Sequence, residues 1–225
     1  MSDEELSLRE RKKRQTRRSL EAAALRLFLD RGFANTTLDE LVAVVGVSKR
    51  TFFRMYTSKE DVALSAEAEL WDAYIDITVR RDLHGAVLPF LRDTLLEALA
   101  DRDENWDRRF LAARGLMART PQLWDRSILL SVSAQDRLTA ELESKLSLDG
   151  RADLRLRLLS EFALAAWRCA ARNWIAGRGQ AGTGPSERLG TWRGPGGRAA
   201  LARAVEDAFD TIPEATHLST ERHPA

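Results

Sequence analysis

Thr37, Glu40, Gly46 and Ser48 constrain this chain more tightly than any other residues in it. Thr37-Leu38-Asp39-Glu40 has the form of a capping box, in which the threonine hydroxyl accepts from an orphan amide of a helix start and the glutamate reaches back to the cap's own N–H. Gly46 stops the helix that this box opens, because glycine enters the left-handed region without a steric penalty. Ser48 then caps a second short helix, about Lys49 to Tyr56. Two short helices joined by a glycine turn make a helix-turn-helix, with Leu38, Leu41, Val42 and Val45 facing inward and Val47 between the helices. A longer helix precedes them, about Glu10 to Arg31. It carries Leu20, Ala24, Leu27 and Phe28 on one stripe and ends at Gly32.

Helical periodicity continues along the rest of the chain. Ser58 caps a fourth helix that runs to about Arg80. Further helices are expected from Pro89, tolerated in a first turn, to Ala100, from Asn105 to Arg119, from Pro121 to Leu146 and from Arg151 to Ala176. The segment 177–197 holds eight of the thirteen glycines and reads as a loop. A last helix, Arg198 to Ile212, places Leu201, Ala204, Val205, Ala208, Phe209 and Ile212 on one stripe, and Pro213 follows it. Period-two alternation is nowhere sustained, so the expected fold class is all-α with about nine helices. Residues 1–57 form a first domain, with 1–9 a flexible arm. Residues 58–212 form a second, and 213–225 a disordered tail.

Charge is distributed unevenly over this plan. From Arg9 to Arg18 seven basic residues stand against one acid, Glu10, giving +6; the whole chain is +1, so the other 215 residues carry −5. A concentrated basic patch on a mildly acidic molecule points to a polyanionic partner. The first turn of the helix after Gly46 adds to it: Ser48, Lys49, Arg50 and Thr51 present two cations and two hydroxyls that no core requires. Such groups at the start of the second helix of a helix-turn-helix lie where base edges and phosphates of DNA would be.

The stretch from Thr37-Leu38-Asp39-Glu40-Leu41 through Gly46-Val47-Ser48-Lys49-Arg50-Thr51-Phe52-Phe53-Arg54-Met55-Tyr56-Thr57-Ser58-Lys59-Glu60-Asp61, with Phe28-Leu29-Asp30-Arg31-Gly32-Phe33 before it, resembles the tetracycline-repressor (TetR) family of bacterial regulators. The resemblance covers about Arg14 to Leu64. It implies a three-helix DNA-binding domain followed by a larger helical ligand-binding and dimerisation domain. It also implies phosphate contacts at Thr36, Thr37 and Lys59, and base or phosphate contacts at Lys49, Arg50 and Thr51 beside the cap Ser48. Phe53 stands where the family often has a tyrosine and cannot donate to phosphate; Arg54, where the family has an aromatic, offers a charged contact instead. Arg17 either touches the DNA backbone or is simply solvated.

For the second domain the resemblance implies a pocket for an unknown small apolar or amphipathic effector. Trp71, Trp106, Phe110, Met117, Trp124 and Phe162 are its candidate lining, and the later helices faintly resemble regulators that sense acyl-CoA-like molecules. The helix 151–176 has two apolar stripes. Leu154, Leu158, Phe162, Ala165 and Cys169 form one; Ala163, Trp167, Ala170 and Trp174 form the other. A helix apolar on two faces must be buried twice. Trp167 and Trp174, with Leu201, Val205 and Phe209 of the last helix, either pair with their copies in a two-fold dimer or fill the core of one chain. A dimer would ask for a pseudo-palindromic operator in double-stranded DNA.

Competing classes fare worse. Gly177-Arg178-Gly179-Gln180-Ala181-Gly182 matches G-x-G-x-x-G letter by letter, but it follows a helix and enters a loop, whereas a dinucleotide site needs a strand before and a helix after. An architectural DNA-packaging protein would spread its cations over much of its surface. One cysteine and three scattered histidines suggest neither disulfides nor a metal centre, and no cofactor is expected. Without a signal-like start or an apolar run near the roughly 20 residues that cross a bilayer, a cytoplasmic repressor with no membrane partner and no enzymatic activity is the expectation.

Overall fold

The structure, a computed structural model, describes residues 8–176 and 196–218. Every regular element among them is helical: α1 (Leu8–Arg31), α2 (Leu38–Val45), α3 (Lys49–Phe53), α4 (Lys59–Ala63), α5 (Ser65–Arg80), α6 (Val87–Ala100), α7 (Trp106–Met117), α8 (Pro121–Leu146), α9 (Leu154–Ala176) and α10 (Gly197–Ala215). The glycine-rich segment 177–195, the first seven residues and the tail from 219 lie outside the described residues.

The helix expected from Ser58 to Arg80 is two helices. Leu64 leaves helical geometry at φ −100°, ψ 14°, within a run of six consecutive buried residues, Val62 to Glu67. Six successive residues take in every side of a helix, so the chain is enclosed all round where it changes direction. At the other end, α10 does not stop at Ile212 but carries through Pro213 to Ala215. The proline costs the helix a single donor bond one turn from its end.

The described residues fall into two compact units: residues 8–69 with 108–129, and residues 70–107 with 130–176 and 196–218. Helices α5, α7 and α8 each contribute residues to both, and the expected boundary at 57/58 falls inside the first unit.

In the first unit α1 packs on α2 and α4, and α2 on α3. Leu20, Phe28, Leu41, Phe52, Val62 and Leu64 form its fully buried centre. Gly32 (φ +87°) ends α1 with its N–H on the Phe28 carbonyl at 3.0 Å. The capping box at Thr37 is complete: the Glu40 amide donates to the Thr37 hydroxyl at 3.2 Å, and the Thr37 amide to the Glu40 carboxylate at 2.8 Å. Gly46 (φ +70°, ψ 33°) closes α2, its N–H reaching the Ala43 carbonyl at 3.1 Å while Val47 reaches that of Val42 at 3.0 Å. This pair of bonds is the Schellman arrangement, and it sets the angle at which α3 leaves α2.

In the second unit α10 packs on α9 and α6, and α6 on α9. The stripe Leu201, Val205 and Phe209 is buried within this chain, as are Trp167 and Trp174, so these five residues belong to the core and not to a surface that could meet a second copy. Bulk decides it: Trp167 stands edge-on to Trp71 with ring centroids 5.8 Å apart, and the Trp174 indole donates to the Gly197 carbonyl at 3.2 Å. The opposite stripe of α9 is the open one. Leu154 is 65% and Leu158 50% exposed, Phe162 and Ala165 are half-buried, and Cys169 is exposed and not packed. No helix among the described residues is long and apolar enough to cross a membrane.

At Gly46 a Cβ would meet nothing within 4 Å, so only the left-handed backbone resists a side chain. Gly46→Ala should therefore lower unfolding stability by about 1–2 kcal/mol, measured by urea denaturation. Loss of less than a few tenths would show that the turn relaxes freely.

Candidate nucleic-acid interface

The α3 helix has one held face and one open face. Ser48 caps it, its Oγ accepting from the Thr51 N–H at 3.1 Å, and the Ser48 and Thr51 hydroxyls lie 3.1 Å apart. Phe52 is wholly buried, and Tyr56 packs beside it at 5.8 Å between ring centroids. Outward stand Ser48, Lys49, Arg50, Phe53 and Arg54, all exposed, with Thr51 half-buried. Lys49 Nζ pairs with Asp39 Oδ1 of α2 at 2.8 Å, and Phe53 rests edge-on against Phe52 at 5.4 Å. Alongside, Arg9, Arg11, Lys12, Lys13, Arg14 and Arg18 are exposed on the opening turns of α1. The arrangement can bind a polyanion along α1 and insert a short cationic, hydroxyl-bearing edge into a groove.

The seat of this edge is a buried acid. Glu21 of α1, 3% exposed, accepts from the Tyr56 hydroxyl at 2.5 Å and from Arg17 Nε at 3.1 Å, both on Oε1. Burial first, and then the neighbouring Glu21 carboxylate, push the Tyr56 phenol far above its ordinary pKa, so it remains a donor. Arg17 also lies 5.4 Å from the Tyr56 ring centroid. Although half-exposed, it is thus tied to the structure through Nε. Sequence reasoning missed this hub. Its signal was an acid standing next to Leu20 on the buried side of α1.

Two expected phosphate contacts are used internally. The Thr36 hydroxyl, 1% exposed, donates to the carbonyls of Gly32 at 3.0 Å and Leu27 at 3.3 Å. Lys59 Nζ donates to the carbonyls of Phe33 at 2.9 Å and Thr36 at 3.1 Å, and lies 4.3 Å from the Phe33 ring centroid. Both close the turn between α1 and α2, where backbone carbonyls need donors. Thr37 is exposed at the start of α2.

The candidate effector residues are divided between the two units. Phe110, Met117 and Trp124 fall in the first unit and Trp71, Trp106 and Phe162 in the second. Trp71, Trp106, Phe110 and Met117 are buried, whereas Trp124 is 51% exposed. A groove of about 560 Å³ between α8 and α9 is lined by polar side chains, among them Asp136, Glu143, Arg151 and Glu161, and by none of the six.

Comparison with known proteins fits this geometry. Residues 20–66 match the family model for bacterial regulatory proteins, tetR family. The HTH-type transcriptional regulator TcmR of Streptomyces glaucescens is 30% identical over 178 residues, 74% of this chain and 76% of that protein. The chain belongs to the tetR family. It is a DNA-binding transcriptional regulator of all-α fold, and its relatives are regulators of the same kind. Among solved structures, a TetR-family regulator from Mesorhizobium loti aligns at 16% identity and TM-score 0.48 over 90% of this chain and 97% of its own. A regulator from Aquifex aeolicus aligns at 14% and 0.45 over 89% and 99%.

The two carbonyls held by Lys59 give a test on this TetR-family chain. Lys59→Met should lower unfolding stability by ~1–2 kcal/mol, as charge-assisted bonds to backbone are lost, in a chemical denaturation experiment. Unchanged stability with weakened DNA binding would return Lys59 to the phosphate-contacting role.

Proposed function

We propose that this regulator is a homodimeric repressor of the bacterial cytoplasm. Two copies set their α3 helices into successive major grooves of a pseudo-palindromic operator, and a small apolar or amphipathic effector in the helical body releases them. The two-sidedness of α3 carries the reading: Phe52 anchors one face while Ser48, Lys49, Arg50 and Arg54 are exposed on the other.

In this reading Ser48, Lys49, Arg50 and Thr51 meet base edges, where cations and hydroxyls find purine acceptors. Arg54 takes a phosphate, with Phe53 against the sugar-phosphate wall. Thr37 brings the N-terminus of α2 to another phosphate, which the helix dipole favours. The basic turns of α1, including Arg17, follow the backbone. Lys49 must leave Asp39 to do this, but an exposed pair is worth only ~0–1 kcal/mol and presents little obstacle. Thr36 and Lys59 support the turn without touching DNA.

The open stripe of α9 supports the homodimer. A second copy offering the same stripe gives an isologous contact, and the two α3 helices would then address half-sites about 34–36 Å apart. For the effector, Trp71 is informative. Its indole Nε1, buried beside Tyr74 and Trp167, is the buried side-chain nitrogen or oxygen that lacks a partner among the described residues. Leaving a buried donor unpaired costs roughly 1–3 kcal/mol, which favours an effector that brings an acceptor to it. Such a ligand acts only if it binds the DNA-free state better than the DNA-bound one.

Lys49→Ala with Arg50→Ala should weaken operator binding by about 100-fold and flatten the dependence of log K on log salt by about 2, as read by mobility-shift titration over a salt series. Full retention of binding would remove α3 from the reading role. Leu158→Asp should convert the dimer to monomer in sedimentation and abolish operator binding with it; a persistent dimer would place the interface elsewhere.

A further inference from the structure

 

Residues 108–129 group with the DNA-reading unit despite their distance from it in sequence. Three arginines of this segment each hold an acid of α4 or α5. Arg126 Nε meets Asp61 at 2.7 Å, Arg114 meets the buried Glu67 at 3.1 Å, and Arg109 grips Glu69 with two bonds of 2.9 and 2.8 Å. Arg109 alone among the three also reaches α1, where its Nη1 donates to Glu21 Oε2 at 3.1 Å. Glu21 uses its other oxygen for Tyr56 and Arg17, and Tyr56 packs on the Phe52 that anchors α3.

We propose that Arg109 is a positioning residue for DNA reading: by holding Glu21 and Glu69 together, it fixes the seat of the recognition helix and carries any movement of α7 to it. Side-chain contacts run without a gap from Arg109 through Glu21 and Tyr56 to Phe52. Two carboxylates, Glu21 and Glu69, are balanced by two guanidiniums, Arg17 and Arg109. Without Arg109 the buried Glu21 keeps only the half-exposed Arg17 and the phenol, and the α7 end of the chain of contacts is cut. Arg114 and Arg126 offer no substitute, since their acids lie on α4 and α5 and not beneath α3. The inference rests on α3 being the DNA reader, and it adds the residue of α7 that steadies its seat.

The test uses the full-length chain, a duplex recovered by the wild-type protein from a randomised pool, and a scrambled duplex of the same length. Misplacing α3 damages base reading and leaves the backbone attraction of α1 intact. Arg109→Gln should therefore lower the ratio of specific to scrambled affinity by about 10–100-fold, with scrambled binding within about twofold of wild type. Glu69→Gln, which loosens the grip on a partly exposed acid and leaves Glu21 its partner, should lower the ratio less; it carries the test if Arg109→Gln does not fold. In a Glu21→Gln background, Arg109→Gln should cause little further loss, as expected for residues acting in series. An unchanged ratio in both single variants, an equal fall on both duplexes, or additive losses in the double variant would each overturn the proposal. A wild-type protein that recovers no preferred duplex would instead overturn the reading of α3 itself.

Discussion

A carboxylate taken out of water needs donors on both oxygens, and Glu21 has three around it. Removing one partner of such a buried group leaves charge uncompensated, at a cost of several kcal/mol. That requirement makes α1, the end of α3 and α7 mutually dependent: Arg17, Tyr56 and Arg109 come from different parts of the chain and converge on one side chain. Apolar packing through Leu20, Leu41 and Phe52 brings the helices together, but packing alone tolerates small slides. The hub fixes direction, because a hydrogen bond weakens steeply as its donor angle bends away from linear.

The physical grouping of residues also differs from their order along the chain. A boundary drawn along the chain places 108–129 in the body, yet its arginines neutralise Asp61, Glu67 and Glu69 in the unit that reads DNA. Ion pairs that are half-buried are screened less than exposed ones, so these pairs add to the hold of the segment's buried apolar side chains.

Much of the reading head was legible because helix ends are local problems. Thr37, Glu40, Gly46 and Ser48 solve theirs within a few residues, and the bonds they form are those their spacing implies. The internal bonds of Thr36 and Lys59 were not legible for the complementary reason. Their partners are carbonyls up to 26 residues away, and nothing local distinguishes a buried threonine from the exposed cap beside it. The period of α9 disclosed two apolar stripes, but periodicity has no inside and outside. Only the fit of Trp167 against Trp71 and the Trp174 bond to Gly197 decides which stripe fills the core. The break at Leu64 was invisible because every residue around it is compatible with helix.

The stripe left open on α9 bears on how such a molecule would reach specificity. A reading edge of five helical residues touches few base pairs, and each matched contact contributes ~1–3 kcal/mol, too little for one copy to single out a site among many. If two copies pair through Leu154 and Leu158, binding energy from two edges adds on one duplex while the cost of association falls once. Dimerisation and operator binding are then linked equilibria, so a change that weakens the α9 contact weakens DNA binding even when α3 is untouched. Specificity in this chain would therefore depend on apolar area nearly as much as on the cations that meet the bases.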